Sequence, residues 1–327
     1  MAAAAVLLFT GHDAAAQQNF YAGKQISYYI GYAPGGGFDL YARLLAKHIG
    51  NHIPGKPAVV PQNMPGAGGL KAAGYMYSVA PKDGTALCTT GEGTVLDHVL
   101  NAPGTDYDPA KFNWIGMLVP HYTIFFTWHT SPAKTFADVQ KRETVFGSLG
   151  SGSSDYFPRA LNKLAGAHFK LITGYRGSAD VLLAVEREEV EGGFGLWQDL
   201  KERKSEWLAE KKINPIIFLS PKRVPEYPDV PLVNEVGTTP ENKEILDLLA
   251  RGEVGKSVFT TPGVPSDRVT LLRKAFSEAL EDPAFKADAQ KSNIYIEPMN
   301  GEELQRYVDR IVSVPKDLAK KAEEARK

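Results

Sequence analysis

Gly31-Tyr-Ala-Pro-Gly-Gly-Gly-Phe-Asp39 follows the apolar run Tyr28-Tyr29-Ile30, and a similar stretch, Asn63-Met-Pro-Gly-Ala-Gly-Gly69, follows Ala58-Val59-Val60. Each reads as a Pro-Gly-rich loop that leaves a strand and opens a helix. Glycine has no Cβ to forbid positive φ, so consecutive glycines let backbone N–H groups turn toward one point. A helix start behind them adds N–H groups without intrahelical partners and the positive end of the helix dipole. Together these features suit an anion, and two loops about thirty residues apart are able to grip the same one. Plain strand-to-helix turns would use the same glycines. Their repetition at two strand ends favours binding, because open α/β sheets take ligands at the carboxyl edge of their strands.

Working outward, strands are expected at Gln25–Ile30, from Ala58 to Val60, and from Thr85 to Thr90. Helices are expected between them, from Asp39 to about His52 and from Leu70 to Val79. Leu40, Leu44, Leu45 and Ile49 fall at helical spacing for one buried face, and Asp39 sits where an N-cap or first-turn acid belongs. This β-loop-α order implies a parallel sheet with short crossovers. A second series follows. Strands are expected near Phe112–Val119, Ile124–Trp128, Thr144–Ser148, Phe169–Ile172, Val190–Phe194 and Ile213–Leu219, with their own glycine-serine loops at Gly150–Asp155 and Gly174–Ser178. Those loops open helices to about Ala165 and from Ala179 to Glu188, and the series reads as a second lobe. Ser257–Thr261 reads as the return crossover. Helices close the chain at Glu241–Leu249, at Ser266–Leu280 and from Gly301 onward, the Lys/Glu-rich end reading as a solvated face.

A chain of 327 residues with 43% hydrophobic and 23% charged content is long enough for two cores. A net charge of -1 and a pI near 6.7 argue against a nucleic-acid partner. Residues 1–16 read as a secretion signal, with an apolar Ala2–Phe9 and an A-x-A-like site at Ala14–Ala16, although no basic residue precedes Lys24. The single Cys88 allows no internal disulfide.

Catalytic signatures do not assemble. Gly35–Gly37 does not fit G-x-G-x-x-G, and Gly252-Glu-Val-Gly-Lys256-Ser257 resembles the end of a Walker A but has Ala250 where the first glycine belongs. The serines from Ser151 to Ser154 never give G-x-S-x-G. His48 and His52 lie four apart on a helix without a third ligand, so they read as a packed or surface pair rather than a metal site. Asp155 caps its helix or meets a ligand. Phe38, Tyr156, Tyr175, Phe194 and Trp197 lie in or beside loops; core packing is the default for each, but together they suggest apolar surface in a pocket. No enzyme activity, cofactor or metal is expected.

The chain resembles the Bug family, the periplasmic solute-binding receptors of tripartite tricarboxylate transporters. The resemblance runs through Ala33–Asp39, Asn63–Gly69, Pro81-Lys-Asp-Gly84, Tyr107-Asp-Pro109, Gly150-Ser-Gly152, Tyr175-Arg-Gly-Ser178, Arg223 through Pro231, and Glu235-Val-Gly237. It implies an α/β, two-lobed type II periplasmic-binding-protein fold whose lobes, joined by crossover strands, close on a ligand cleft. Lobe 1 is then 22–123 with 246–327, and lobe 2 is 124–245. It further implies a small organic acid as ligand, membrane transporter subunits as partners, a periplasmic location and a monomer. The carboxylate-holding role falls on Gly35, Gly36, Gly37, Asp39, Gly66, Ala67, Gly68 and Gly69, with Pro34 and Phe38 beside them in the ligand site. Ser151, Ser153, Ser154, Asp155, Tyr175, Ser178 and Trp197 would read the rest of the ligand. Phe38 stands where a small hydroxyl residue is common, Met64 replaces a frequent Arg, and Tyr156 replaces the usual His. These departures point away from a highly charged acid and toward one with an apolar or aromatic body. A sensory receptor of the same fold, and an α/β enzyme acting on a carboxylate, are the alternative readings.

Overall fold

The segment Gln25–Ile30 forms β1, in which Ile26, Tyr28, Tyr29 and Ile30 are buried, as suits the β-branched and aromatic composition of a strand covered on both faces. The structure, a computed structural model, describes residues 20–150, 152–175 and 177–327. The secretion-signal reading of residues 1–16 and the site residue Ser151 lie outside them. After β1 come β2 (Ala58–Asn63), β3 (Ala86–Thr89), β4 (Asn113–Met117), β5 (Thr123–Trp128), β6 (Thr144–Gly147), β7 (Phe169–Ile172), β8 (Gly192–Leu196), β9 (Ile213–Leu219), β10 (Ser257–Thr260) and β11 (Met299–Asn300). They make two sheets, one in the order β11-β4-β10-β3-β1-β2 and one in the order β7-β6-β8-β5-β9.

The first unit comprises the described residues through Gly91, Gly104–Leu118 and Lys256–Tyr307. Its strand β1 pairs in parallel with both β2 and β3, with Ile30 opposite Asn63 on one side and Thr89 on the other. This register aligns three carboxyl ends at one sheet edge. The strand β10 returns antiparallel to β3 and β4. Helix Gly37–Ile49 packs its Leu44, Leu45 and Ile49 with Ile26, Tyr28, Leu272 and Phe276 in one core. Leu40, expected on that face, is 44% exposed. The buried stripe runs through Ala42, Leu45, Ala46 and Ile49, and Leu40 lies about 200° before its start at 100° per residue.

The second unit comprises Glu92–Pro103, Val119–Gly255 and Val308–Lys327. In its sheet β7, β6 and β8 are parallel, and β5 runs antiparallel between β8 and β9. Ile124, Phe126 and Trp128 of β5 pack with Trp197, Trp207 and Phe218, the Trp128 and Trp207 rings meeting edge-on at 4.8 Å. Residues 92–103, 119–123, 246–255 and 308–327, expected with the first lobe, cluster here instead. Packing explains the three longer segments. Gly252 of helix Pro240–Gly252 lies so close to Leu96 that a Cβ would stand 2.6 Å from Leu96 Cδ1. The closing helix, Lys316–Arg326, is not merely a solvated face: it buries Leu318, Ala319, Ala322 and Ala325 and packs against helices Ser153–Ala165 and Pro240–Gly252. Proline, which lacks an N–H, separates it at Pro315 from helix Gly301–Val312.

Candidate functional site

Three chain segments meet without side chains between them where β1, β2 and β3 end. A Cβ on Gly31 would stand 2.9 Å from Gly69 Cα, and one on Gly91 would stand 2.4 Å from the Gly68 carbonyl oxygen and 2.6 Å from the Tyr32 hydroxyl. A side chain on either glycine would not fit there. Hydrogen bonds carry the junction on: Gly31 N–H donates to the Thr89 carbonyl at 2.9 Å, and Met64 N–H donates to the Ile30 carbonyl at 2.7 Å.

The first loop is shaped from within by Asp39, which is 2% exposed. Its Oδ2 accepts from Gly35 N–H and Arg43 Nε, each at 2.9 Å, and its Oδ1 accepts from Asn63 Nδ2 at 2.8 Å. Asn63 also donates to the Tyr32 carbonyl at 2.9 Å and accepts from Arg43 at 2.8 Å, while the Tyr32 hydroxyl donates to the Gly68 carbonyl at 3.1 Å. The two loops are thus fastened to each other through the side chains of Asp39, Asn63, Arg43 and Tyr32. Burial lifts the Asp39 carboxyl, but the hydrogen bonds from Arg43, Gly35 and Asn63, with the Arg43 charge, outweigh it and hold the group below its ordinary value. Asp39 therefore positions the loop, its carboxylate being fully engaged within the protein.

Helix Gly37–Ile49 begins with Gly36 at its N-cap and no side-chain cap. Gly35–Gly37 are exposed, and the N–H groups of Gly37 and Phe38 take no acceptor among the described residues. That is an open donor set at the positive end of a helix dipole. Phe38 stacks on Tyr32 with centroids 4.5 Å apart and planes 8° from parallel. In the second loop four successive residues have positive φ: Gly66 (149°), Ala67 (47°), Gly68 (62°) and Gly69 (100°). Glycine takes this conformation freely, whereas Ala67 holds it at a cost of about 1–2 kcal/mol.

The second unit shows the same construction. Gly147 is opposite Ile172 at the ends of parallel β6 and β7, and Ser148 N–H donates to the Ile172 carbonyl at 2.9 Å, so the loops bearing Ser153 and Ser178 are neighbours. Gly150, Gly152 and Gly174 carry positive φ. Ser153 is half-buried and Ser178 exposed; Ser154, 2% exposed, accepts from Leu149 N–H at 3.3 Å. Asp155 does not cap its helix, whose N-cap is Gly152, but pairs with Arg159 at 2.8 Å. Tyr175 is half-buried beside Gly147. Trp197 is a core ring, 3% exposed, edge-on to Phe218 at 5.5 Å and Tyr227 at 5.6 Å. The Tyr156 hydroxyl donates to Glu253, with His121 and Asp97 close by. His48 and His52 pair with Asp288 at 2.7 Å and Asp282 at 3.1 Å.

Sequence reasoning missed Gly91, Asn63 and Arg43 as loop-setting residues. Asn63 was inside the quoted motif. Gly91 follows the third strand directly, so the rule that marked the first two loops would have found it.

Residues 41–323 match the model of the family described as the tripartite tricarboxylate transporter family receptor. The match starts just after Asp39. A protein of Cupriavidus necator, called "UPF0065 protein in gbd 5'region", is 26% identical over 98% of this chain and 94% of its own length. The crystal structure of a TctC solute binding protein from Polaromonas superposes with a TM-score of 0.70 at 18% identity, over 92% of this chain and 99% of that one. A protein of R. palustris with adipate superposes at 0.62 and 21% identity, over 91% and 97%. These likenesses establish a solute-binding-protein fold. With the family match covering most of its length, the chain belongs to the tripartite tricarboxylate transporter receptors, the family its glycine loops resembled.

Proposed function

We propose that the protein is a non-catalytic periplasmic receptor that binds a small organic carboxylate and presents it to the membrane subunits of a tripartite transporter, acting as a monomer. One observation carries the reading: open backbone donors at the start of helix Gly37–Ile49 stand in a loop fastened to a second glycine loop at the same sheet edge. Such donors suit an anion such as a carboxylate without a metal or cofactor. Adipate in the R. palustris neighbour supports the ligand class. In the first unit, Gly35, Gly36, Gly37, Phe38, Gly66, Ala67, Gly68 and Gly69 are the proposed carboxylate contacts, with Pro34 shaping the turn and Asp39 bracing it. In the second, Ser151, Ser153, Ser154, Asp155, Tyr175 and Ser178 are proposed to select the remainder of the ligand. Trp197, by its burial, is proposed to support that surface from beneath. Among the described residues no helix is long and apolar enough to cross a membrane, which accords with a receptor that works beside its transporter.

The departures at Phe38, Met64 and Tyr156 favour an acid with an apolar or aromatic body. Mass spectrometry of small molecules released from freshly purified protein tests the reading. A monocarboxylic or dicarboxylic acid in near-stoichiometric amount is expected. Recovery of a neutral or cationic metabolite instead, or turnover of the recovered acid on incubation, would sink it.

A further inference from the structure

Lys256, which immediately precedes β10, lies against the first glycine loop although most of the chain separates them. Its Cε stands 3.5 Å from where a Cβ on Gly37 would be, and its Nζ is 5.3 Å from the Phe38 ring centroid and 5.0 Å from that of Tyr41. The side chain is half-buried, and among the described residues the ammonium has no ion pair and no hydrogen-bond acceptor. Some lysines of the first unit are ion-paired instead: Lys47, on the same helix as Phe38, meets Asp288 at 2.6 Å, and Lys286 pairs with Glu281. Two aromatic faces hold an ammonium in position but do not cancel its charge. The positive end of helix Gly37–Ile49, with N–H groups that take no protein acceptor, is directly beside it. Two positive potentials are therefore brought together in a half-buried place, where the nearby Asp39 carboxylate is taken up by Arg43, Gly35 and Asn63, an arrangement that favours an incoming negative charge.

We propose that Lys256 is the specificity-determining cation of the first-unit site, selecting an ionised carboxylate over its neutral amide or ester. The inference rests on the receptor reading of the glycine loops. Backbone N–H donors alone discriminate poorly between a carboxylate and an amide carbonyl, since both accept hydrogen bonds. A neighbouring ammonium supplies the distinction, because only the ionised group gains from it. Phe38, with Tyr32 stacked on it, then holds the ammonium as well as presenting apolar surface to the ligand.

The test is calorimetric titration of the full chain, wild type, Lys256→Gln and Lys256→Arg, with adipate, hexanoate and benzoate, followed by the neutral amide of the tightest binder. Wild type should prefer the acid to its amide. Lys256→Gln should weaken the acid by about tenfold to a hundredfold, the range of a charge-assisted hydrogen bond, while leaving the amide unchanged. Lys256→Arg should keep most of the preference. If Lys256→Gln fails to fold, wild-type selectivity still decides, since equal affinity for acid and amide overturns the assignment. Equal acid affinity in wild type and a folded Lys256→Gln variant overturns the lysine assignment and leaves the receptor reading standing. Failure of wild type to bind any of the three acids overturns the receptor reading itself.

Discussion

Replacing Asp39 with asparagine probes the brace beneath the first loop with the loss of a single oxygen acceptor. The carboxylate serves donors on both oxygens: Gly35 N–H and Arg43 on Oδ2, and Asn63 on Oδ1. An amide has one oxygen and one NH2, so whichever way the new side chain turns, a donor faces a donor. The Arg43 pair contributes little, because that side chain is 46% exposed and solvent screens it. The other two bonds go to a buried charge and are worth about 1.5–3 kcal/mol each, of which the amide retains one. Asp39→Asn should therefore cost about 1.5–3 kcal/mol in urea unfolding. The pH dependence has a definite sign. The folded carboxyl sits below its unfolded value of about 3.9, so its contribution is present above that value and fades as pH falls through the folded one. The gap between wild type and variant should narrow below about pH 4. A variant within about 0.5 kcal/mol of wild type at pH 7, or a gap that widens in acid, would refute the brace.

Gly91→Ala places a methyl within 2.4 Å of the Gly68 carbonyl oxygen, so the loops must part. Calorimetry should show carboxylate affinity reduced, with overpacking lowering stability by about 1–3 kcal/mol; unchanged binding would mean that the spacing of the loops is unimportant. Ala67→Gly relieves a left-handed alanine and should raise stability by about 1 kcal/mol in the same unfolding assay, a loss being the contrary result. Burial lifts the Glu253 carboxyl, Glu92 and Asp97 adding to the effect against His121 and Tyr156. A carboxyl raised in the folded state costs stability as pH rises from its unfolded value of about 4.3 toward the folded one, so Glu253→Gln should gain on wild type as pH rises above about 4.3; a pH-independent difference would show that Glu253 is not raised by folding.

The parallel sheet was legible because its signals are local: Tyr28–Ile30 and Ala58–Val60 each run into glycines, and short crossovers leave few topologies. The family likeness lay in the same loops. What the sequence concealed was tertiary. Nothing near Lys256 announces Phe38 as its neighbour, and the segment drew notice only as a failed phosphate loop. The closing helix read as a solvated face, yet Leu318 and Ala322 are buried and the helix packs on helices far upstream. Trp197 beside a loop suggested ligand contact, but an indole that finds Phe218 and Tyr227 gains more from the core. Asp39 was read as a helix acid. Its tie to Asn63 depends on β1 and β2 pairing in register, which no local pattern encodes.

The central claim is that backbone amides of the two first-unit loops hold a carboxylate, and glycine-selective 15N labelling observes those amides directly. On titrating adipate, hexanoate or benzoate, whichever binds by calorimetry, the amide resonances of Gly36, Gly37, Gly68 and Gly69 should shift together along one saturation curve with the calorimetric affinity. A binding acid that leaves these four unmoved while shifting glycines elsewhere would contradict the account.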